Sequence, residues 1–218
     1  MSLAQELESR RLASSSKIPK DKYEVMQAST LELQNAQLSA QAFKTGQTIP
    51  AFELPNVHRN KVSSVDLLKN GPLVISFYRG GWCPYCNMEL RALQSELDTI
   101  RATGGQLVAI SPEMPDHSLS TSEKNELSFE VLSDLNNQYA KQLGLVFQLP
   151  ENLREVYHSF NIDVPKHNGN THYELPMPAT YLVDEKGKII FDFVPEDYTY
   201  RLEPQKVVRV LQDHQPVG

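Results

Sequence analysis

The chain has 218 residues, two cysteines and a formal net charge of −6. That length fits one core domain with an extension, and 40% hydrophobic against 22% charged residues suits a globular chain in water. The acidic balance argues against nucleic acid and anionic membrane as partners, and two cysteines cannot build a multi-disulfide secreted scaffold.

The first 45 residues read as helix. Leu3, Leu7 and Leu12 form a short apolar stripe. From Lys20 to Ala42 helix formers dominate, with Tyr23, Met26, Leu31, Leu33 and Leu38 among polar residues. The first twenty residues have no apolar signal core, and no later run approaches the roughly 20 residues of a membrane span, so a cytoplasmic, reducing location is expected. Gly46 and Pro50 end this helical segment, and the pattern then alternates. Leu73–Tyr78 (LVISFY) reads as a strand, Pro84–Arg101 as a helix and Gln106–Ser111 as a second strand. Helices are expected over Pro115–Leu127, Asn136–Leu143 and Glu151–Phe160, with a short apolar piece at Phe129–Leu132. The polar segment Lys166–Glu174 (KHNGNTHYE) reads as a surface loop, or else a lid facing a substrate. Ala179–Asp184 and Lys188–Phe193 are strands around the turn Glu185-Lys186-Gly187, hence antiparallel, and Glu203–Asp213 closes as a helix. The expected fold is α/β: a mixed central sheet flanked by helices. Residues 1–42 form a helical N-terminal extension and residues 43–218 the main domain.

Both cysteines lie in SFYRGGWCPYC, residues 76–86. The strand LVISFY leads through the loop RGGW to CPYC, which opens a helix. Cys83 falls near the cap, Pro84 takes the first helical position, and Cys86 lies in the first turn. Free N–H groups and the helix dipole favour a thiolate there. Arg79 and Arg91 are candidates to add positive potential. A structural zinc site needs four ligands; there is no second C-x-x-C, and the nearest histidine pair, His167 and His172, is far along the chain. A purely structural disulfide would close a four-residue loop for at most about 2 kcal/mol. A redox pair is the reading that the strand–loop–helix context favours.

FYRGGWCPYC, followed by an amphipathic helix, resembles the active-site segment of the thioredoxin superfamily. Met177-Pro178 before ATYLVD resembles the superfamily's cis-proline loop, with Pro178 in its place. The leader TGQTIPAFELPN, the later Leu132-Ser133-Asp134 and the chain length resemble the AhpC/TSA peroxiredoxin branch, in its C-x-x-C-bearing form. The resemblance implies a thioredoxin fold over about residues 43 to 213, and site residues Cys83, Cys86, Trp82, Pro178, Met177 and Arg79. No metal and no cofactor are expected.

The two templates assign the cysteines differently. On the peroxiredoxin pattern P-x-x-x-T-x-x-C the peroxidatic position is Cys86. Arg79 then stands in place of the proline and Cys83 in place of the threonine, while the family's arginine falls near Pro178. On the thioredoxin pattern W-C-x-x-C, Cys83 attacks and Cys86 resolves, and the buried acid of the preceding strand lands on Phe77. Arg201 is read as a helix-cap ion pair with Glu203 or Glu196, or as a late arginine near the site. Either way a sulfenic acid on one sulfur would condense with the other thiol. An external thiol such as thioredoxin or glutathione would regenerate the pair. The resemblance implies a thiol peroxidase acting on hydroperoxides. A protein dithiol–disulfide oxidoreductase and a redox-sensing binding module are the alternatives, and a homodimer is the assembly considered.

Overall fold

The computed structural model describes residues 1–214. Helices α1 (Leu3–Lys17) and α2 (Lys20–Asn35) lead, the first opened by a capping box between Ser2 and Gln5. A ribbon, β1 (Glu53–Pro55) and β2 (Lys61–Ser63), runs into α3 (Ser64–Leu68). Then come β3 (Leu73–Phe77), α4 (Pro84–Ser95), α5 (Leu97–Ala102), β4 (Gln106–Ser111), α6 (Pro115–Lys124) and β5 (Glu130–Ser133). The next stretch holds α7 (Gln138–Gln142), β6 (Val146–Gln148), α8 (Glu151–Ser159), α9 (Val164–Asn168) and β7 (Glu174–Pro176). Strands β8 (Ala179–Val183) and β9 (Ile189–Phe193) and helix α10 (Pro204–His214) complete it.

The main sheet has the order β5-β4-β3-β8-β9. β3 is parallel to β4 and antiparallel to β8, so the sheet is mixed as expected. β3 sits at its centre and is buried along its whole length, which is why LVISF reads as an unbroken apolar run rather than an alternation. Its alternate side chains feed two cores. Val74 and Tyr78 join Leu90, Leu93, Ile100 and Val207 on one face, and Leu73, Ile75 and Phe77 join Tyr139, Leu143 and Tyr181 on the other. The cysteines belong to the first core. α1 docks there through Leu3 and Leu7, while α2 lies against α8.

Several boundaries differ from the sequence expectation. Leu12 does not join the stripe of Leu3 and Leu7; it is 63% exposed. The helix expected to run to Ala42 stops at Asn35, because Gln37 takes a left-handed conformation (φ 47°) before a 3-10 turn over Leu38–Gln41. Pro84–Arg101 is two helices, broken at Glu96 (φ −101°, ψ 4°), a kink that buries both Leu93 and Leu97. Segment 166–174 is not a plain loop. It starts inside α9, ends in β7, and ties back through His167 to Glu113 at 2.9 Å.

Candidate active site

The site is built where β3 hands over to α4. Cys83 is the N-cap (φ −86°, ψ 117°), Pro84 is the first helical residue, and Cys86 lies in the first turn. The two glycines of the loop are steric requirements. Gly80 has φ +150°, and a Cβ there would sit 2.2 Å from Trp82 Nε1; a Cβ on Gly81 would sit 1.9 Å from Thr121 Oγ1. The Gly81 peptide is held on both sides. Its N–H donates to Glu113 Oε2 at 2.8 Å, and its carbonyl accepts from Asn87 Nδ2 at 2.8 Å. Asn87 Nδ2 also donates to the Cys83 carbonyl at 3.1 Å, and Asn125 Nδ2 donates to Asn87 Oδ1 at 2.8 Å.

Both cysteines are free thiols, Cys83 2% and Cys86 0% exposed. Two fully buried arginines face them. The Arg79 guanidinium lies 4.2 Å from the Tyr198 ring centre and 5.0 Å from that of Trp82, and Nη2 donates to the Tyr157 hydroxyl. Arg79 Nε has no hydrogen-bond partner among the described residues. Arg201 pairs through Nε with Glu89 Oε2 at 2.5 Å and donates from Nη2 to Cys86 Sγ at 3.3 Å. Its Nη1 donates to the carbonyls of Tyr198 and, at 2.7 Å, Tyr200.

The hydrogen bond between the two sulfurs, together with these charges, sets where the proton of the thiol pair resides. Burial opposes a thiolate on Cys83. The Cys86 side-chain hydrogen bond, the Arg79 and Arg201 charges and the Cys86 backbone N–H outweigh it and bring Cys83 from 9.0 down to about 5. Burial and the neighbouring Cys83 thiolate push Cys86 well up, so it keeps its proton. Burial likewise lifts Glu89 from 4.5 to about 7 against the pull of Arg201.

Cys83 opens onto a cavity of about 530 Å³ that also exposes Arg79, Trp82, Tyr157 and Tyr198. Trp82 is half-buried, edge-on to Tyr157 at 5.5 Å. Of the expected site residues, the structure brings Cys83, Cys86, Arg79 and Trp82 together. It does not bring Met177 or Pro178 to this cavity. Met177 is fully buried in the other core, with its N–H donating to the Leu145 carbonyl at 2.8 Å. The Met177–Pro178 peptide is trans, and β7 pairs with β6 up to Pro176. Arg201 pairs with Glu89, not with Glu203 or Glu196. Arg91 donates to Asn125 Oδ1 at 2.9 Å. The sequence reading missed Glu89, Tyr157 and Tyr198. Glu89 carried a signal, since it lies three residues after Cys86 on one helix and hence on the same face.

A profile of the AhpC/TSA family matches residues 45–191. The chain belongs to the AhpC/TSA family. Among curated members it is 28% identical over 102 residues to Peroxiredoxin Bcp of Escherichia coli, covering 47% of this chain and 65% of that protein. It is 36% identical over 103 residues to a putative peroxiredoxin bcp of Haemophilus influenzae, covering 46% and 64%. The match to the chloroplastic Peroxiredoxin Q of Populus jackii is 27% over 161 residues, 74% of this chain and 62% of that one. The matched stretch thus spans just under two thirds of these relatives. Among solved structures, Peroxidoxin BcpB of Mycobacterium tuberculosis has a TM-score of 0.64 at 20% identity, covering 80% of this chain and 99% of that one. A PrxQ mutant of Xylella fastidiosa has a TM-score of 0.63 at 14% identity, covering 80% and 98%. The fold of this AhpC/TSA chain is therefore the peroxiredoxin form of the thioredoxin fold. Among the described residues no helix is long and apolar enough to cross a membrane.

Proposed function

We propose that this chain is a thiol peroxidase that reduces hydroperoxides, with Cys83 attacking and Cys86 resolving. One observation carries this reading: Cys83 lines the cavity beside Cys86 and two buried guanidiniums, an arrangement that favours its thiolate. Cys86 lines no part of that cavity. The Cys83 thiolate attacks the distal oxygen of ROOH and the O–O bond breaks. The departing alkoxide takes up a proton as ROH, leaving a sulfenic acid on Cys83. Cys86 sulfur then attacks the sulfenic sulfur, an S–S bond forms, and hydroxide leaves with the Cys86 proton as water. An external thiol, of the thioredoxin or glutathione kind, returns two electrons by exchange through a mixed disulfide. Arg79 supports the first step because its unpaired Nε–H is free to meet the charge that develops on oxygen.

Trp82 is the only tryptophan and precedes Cys83, so it reports the reaction. Reduced protein mixed rapidly with hydrogen peroxide and with an alkyl hydroperoxide is expected to change fluorescence in a fast second-order phase. Cys83→Ser abolishes that phase, and Cys86→Ser leaves a sulfenic acid that dimedone traps. Rates no better than a free thiol for both oxidants would overturn the proposal, and trapping on Cys86 in Cys83→Ser would reverse the roles.

A further inference from the structure

The reaction cavity is not made by the family segment alone. Part of its lining is Arg79 and Trp82–Tyr85 with α8 and the loop before α10; the rest is Arg10, Arg11, Ser14, Ile18, Tyr23 and Met26 from α1, its C-cap and α2. These helices lie outside residues 45–191. They are fixed to the domain, as Leu3 and Leu7 are buried, and Ser14 Oγ lies 3.4 Å from the hydroxyl of Tyr85, one of the two residues between the cysteines. At about 530 Å³ the cavity is in the range of sites for whole organic molecules, far beyond what hydrogen peroxide needs. Much of its lining is aromatic and aliphatic: Ile18, Tyr23, Met26, Trp82, Tyr157 and Phe160. Its charges are uneven on a chain of net charge −6: three arginines and a single carboxylate, Asp197, line it. Asp197 is engaged by the Thr199 N–H and hydroxyl. Arg11 is engaged by Glu8, the Thr199 carbonyl and the Tyr200 ring. Arg79 lies buried at the cysteines. Arg10 remains exposed, with no hydrogen bond or ion pair among the described residues, and its charge acts on Tyr85.

We infer that α1 and α2 form the specificity wall of the site and that Arg10 binds the carboxylate of an apolar, acid-bearing organic hydroperoxide whose O–OH reaches Cys83. This rests on the peroxidase reading for its reactive group, but the binding claim can be tested apart from it. An exposed planar guanidinium lining the cavity suits a carboxylate, and the aromatic lining takes the apolar body.

The experiment compares cumene hydroperoxide with its para-carboxylate derivative, using wild type, Arg10→Gln and Arg10→Lys. The acid is expected to have the higher kcat/KM at low ionic strength. Arg10→Gln lowers the acid-to-neutral ratio about fivefold, the scale of an exposed ion pair, Arg10→Lys restores part of it, and added salt compresses it. The corresponding alcohols, which carry no peroxide, are titrated against reduced protein by Trp82 fluorescence, and the acid is expected to bind more tightly through Arg10. If neither hydroperoxide is reduced faster than by a free thiol, the peroxidase reading fails and the alcohol titration alone decides the inference. Equal binding of acid and neutral alcohol, or a ratio that Arg10→Gln does not move, overturns it.

Discussion

The reactivity of Cys83 can be worked out before it is measured. Its value of about 5, against an ordinary 9.0, leaves the sulfur almost wholly thiolate at pH 7. An unperturbed thiol is then about one part in a hundred thiolate, so Cys83 gains about a hundredfold in reactive form. The same stabilisation makes the thiolate a poorer nucleophile. With a Brønsted slope of roughly 0.4–0.5, a four-unit fall costs about 40- to 100-fold. The two nearly cancel. Iodoacetamide should therefore alkylate Cys83 at pH 7 within a few-fold of a free thiol. At pH 5 the free thiol has about one part in ten thousand thiolate and Cys83 about half, so Cys83 should lead by roughly 50- to 100-fold. The assay is alkylation rate against pH, with the modified residue identified by mass spectrometry. A midpoint near 5 is expected, moving upward in Arg79→Met. A midpoint near 9, or no movement in Arg79→Met, would refute the claim that buried guanidiniums hold the thiolate. The cancellation also sets a standard: any peroxide rate well above the iodoacetamide parity at pH 7 reports transition-state stabilisation by the site, not thiolate content.

Two further outcomes follow from the buried pair Glu89–Arg201. Glu89 titrates at about 7 in the fold against 4.5 ordinarily, so the native state holds its proton over that interval and stability falls as pH rises from about 4.5 to 7, by about 3 kcal/mol in all. Glu89→Gln removes this slope; urea unfolding of Cys83→Ser and Cys83→Ser/Glu89→Gln at pH 5 and pH 8 should show their difference shifting by about that amount, and a constant difference would contradict it. Arg201→Met leaves an uncompensated buried carboxylate at pH 8 and should cost about 3–5 kcal/mol there, less at pH 5 where Glu89 is already protonated, with most of the loss recovered by adding Glu89→Gln. The check is the denaturation midpoint at both pH values.

Much of the fold was legible because its signals are local. An unbroken apolar strand, two glycines, a cysteine at a cap and a proline at the first helical position specify strand, loop and helix within a dozen residues. The antiparallel β8–β9 pair was legible from its tight turn. What could not be read was long-range. Glu89 and Arg201 are 112 residues apart, and Tyr157 meets Arg79 across 78. No periodicity encodes such partners, and Arg201 was drawn toward the nearest acids in sequence because only those are visible there. The short strands β1, β2, β6 and β7, three residues each, are too brief to show alternation.

Two of the three departures from the peroxiredoxin pattern, at Arg79 and Cys83, are physically linked. That pattern puts a proline where this chain has Arg79 and a threonine where it has Cys83. A cysteine buried at this cap, with nothing else changed, would be pushed toward the neutral thiol by desolvation, the largest influence acting on it. The hydrogen bond from Cys86 and then the Arg79 charge offset this, with Arg201 helping, but a bare guanidinium in an apolar core would itself be costly. Trp82, Tyr157 and Tyr198 make it tolerable by surrounding the cation with ring faces, and the Tyr157 hydroxyl accepts one of its protons. Cys83, Arg79 and the three aromatics therefore form a single electrostatic unit. Removing the aromatics should destabilise the arginine, and removing the arginine should push the Cys83 thiol back up.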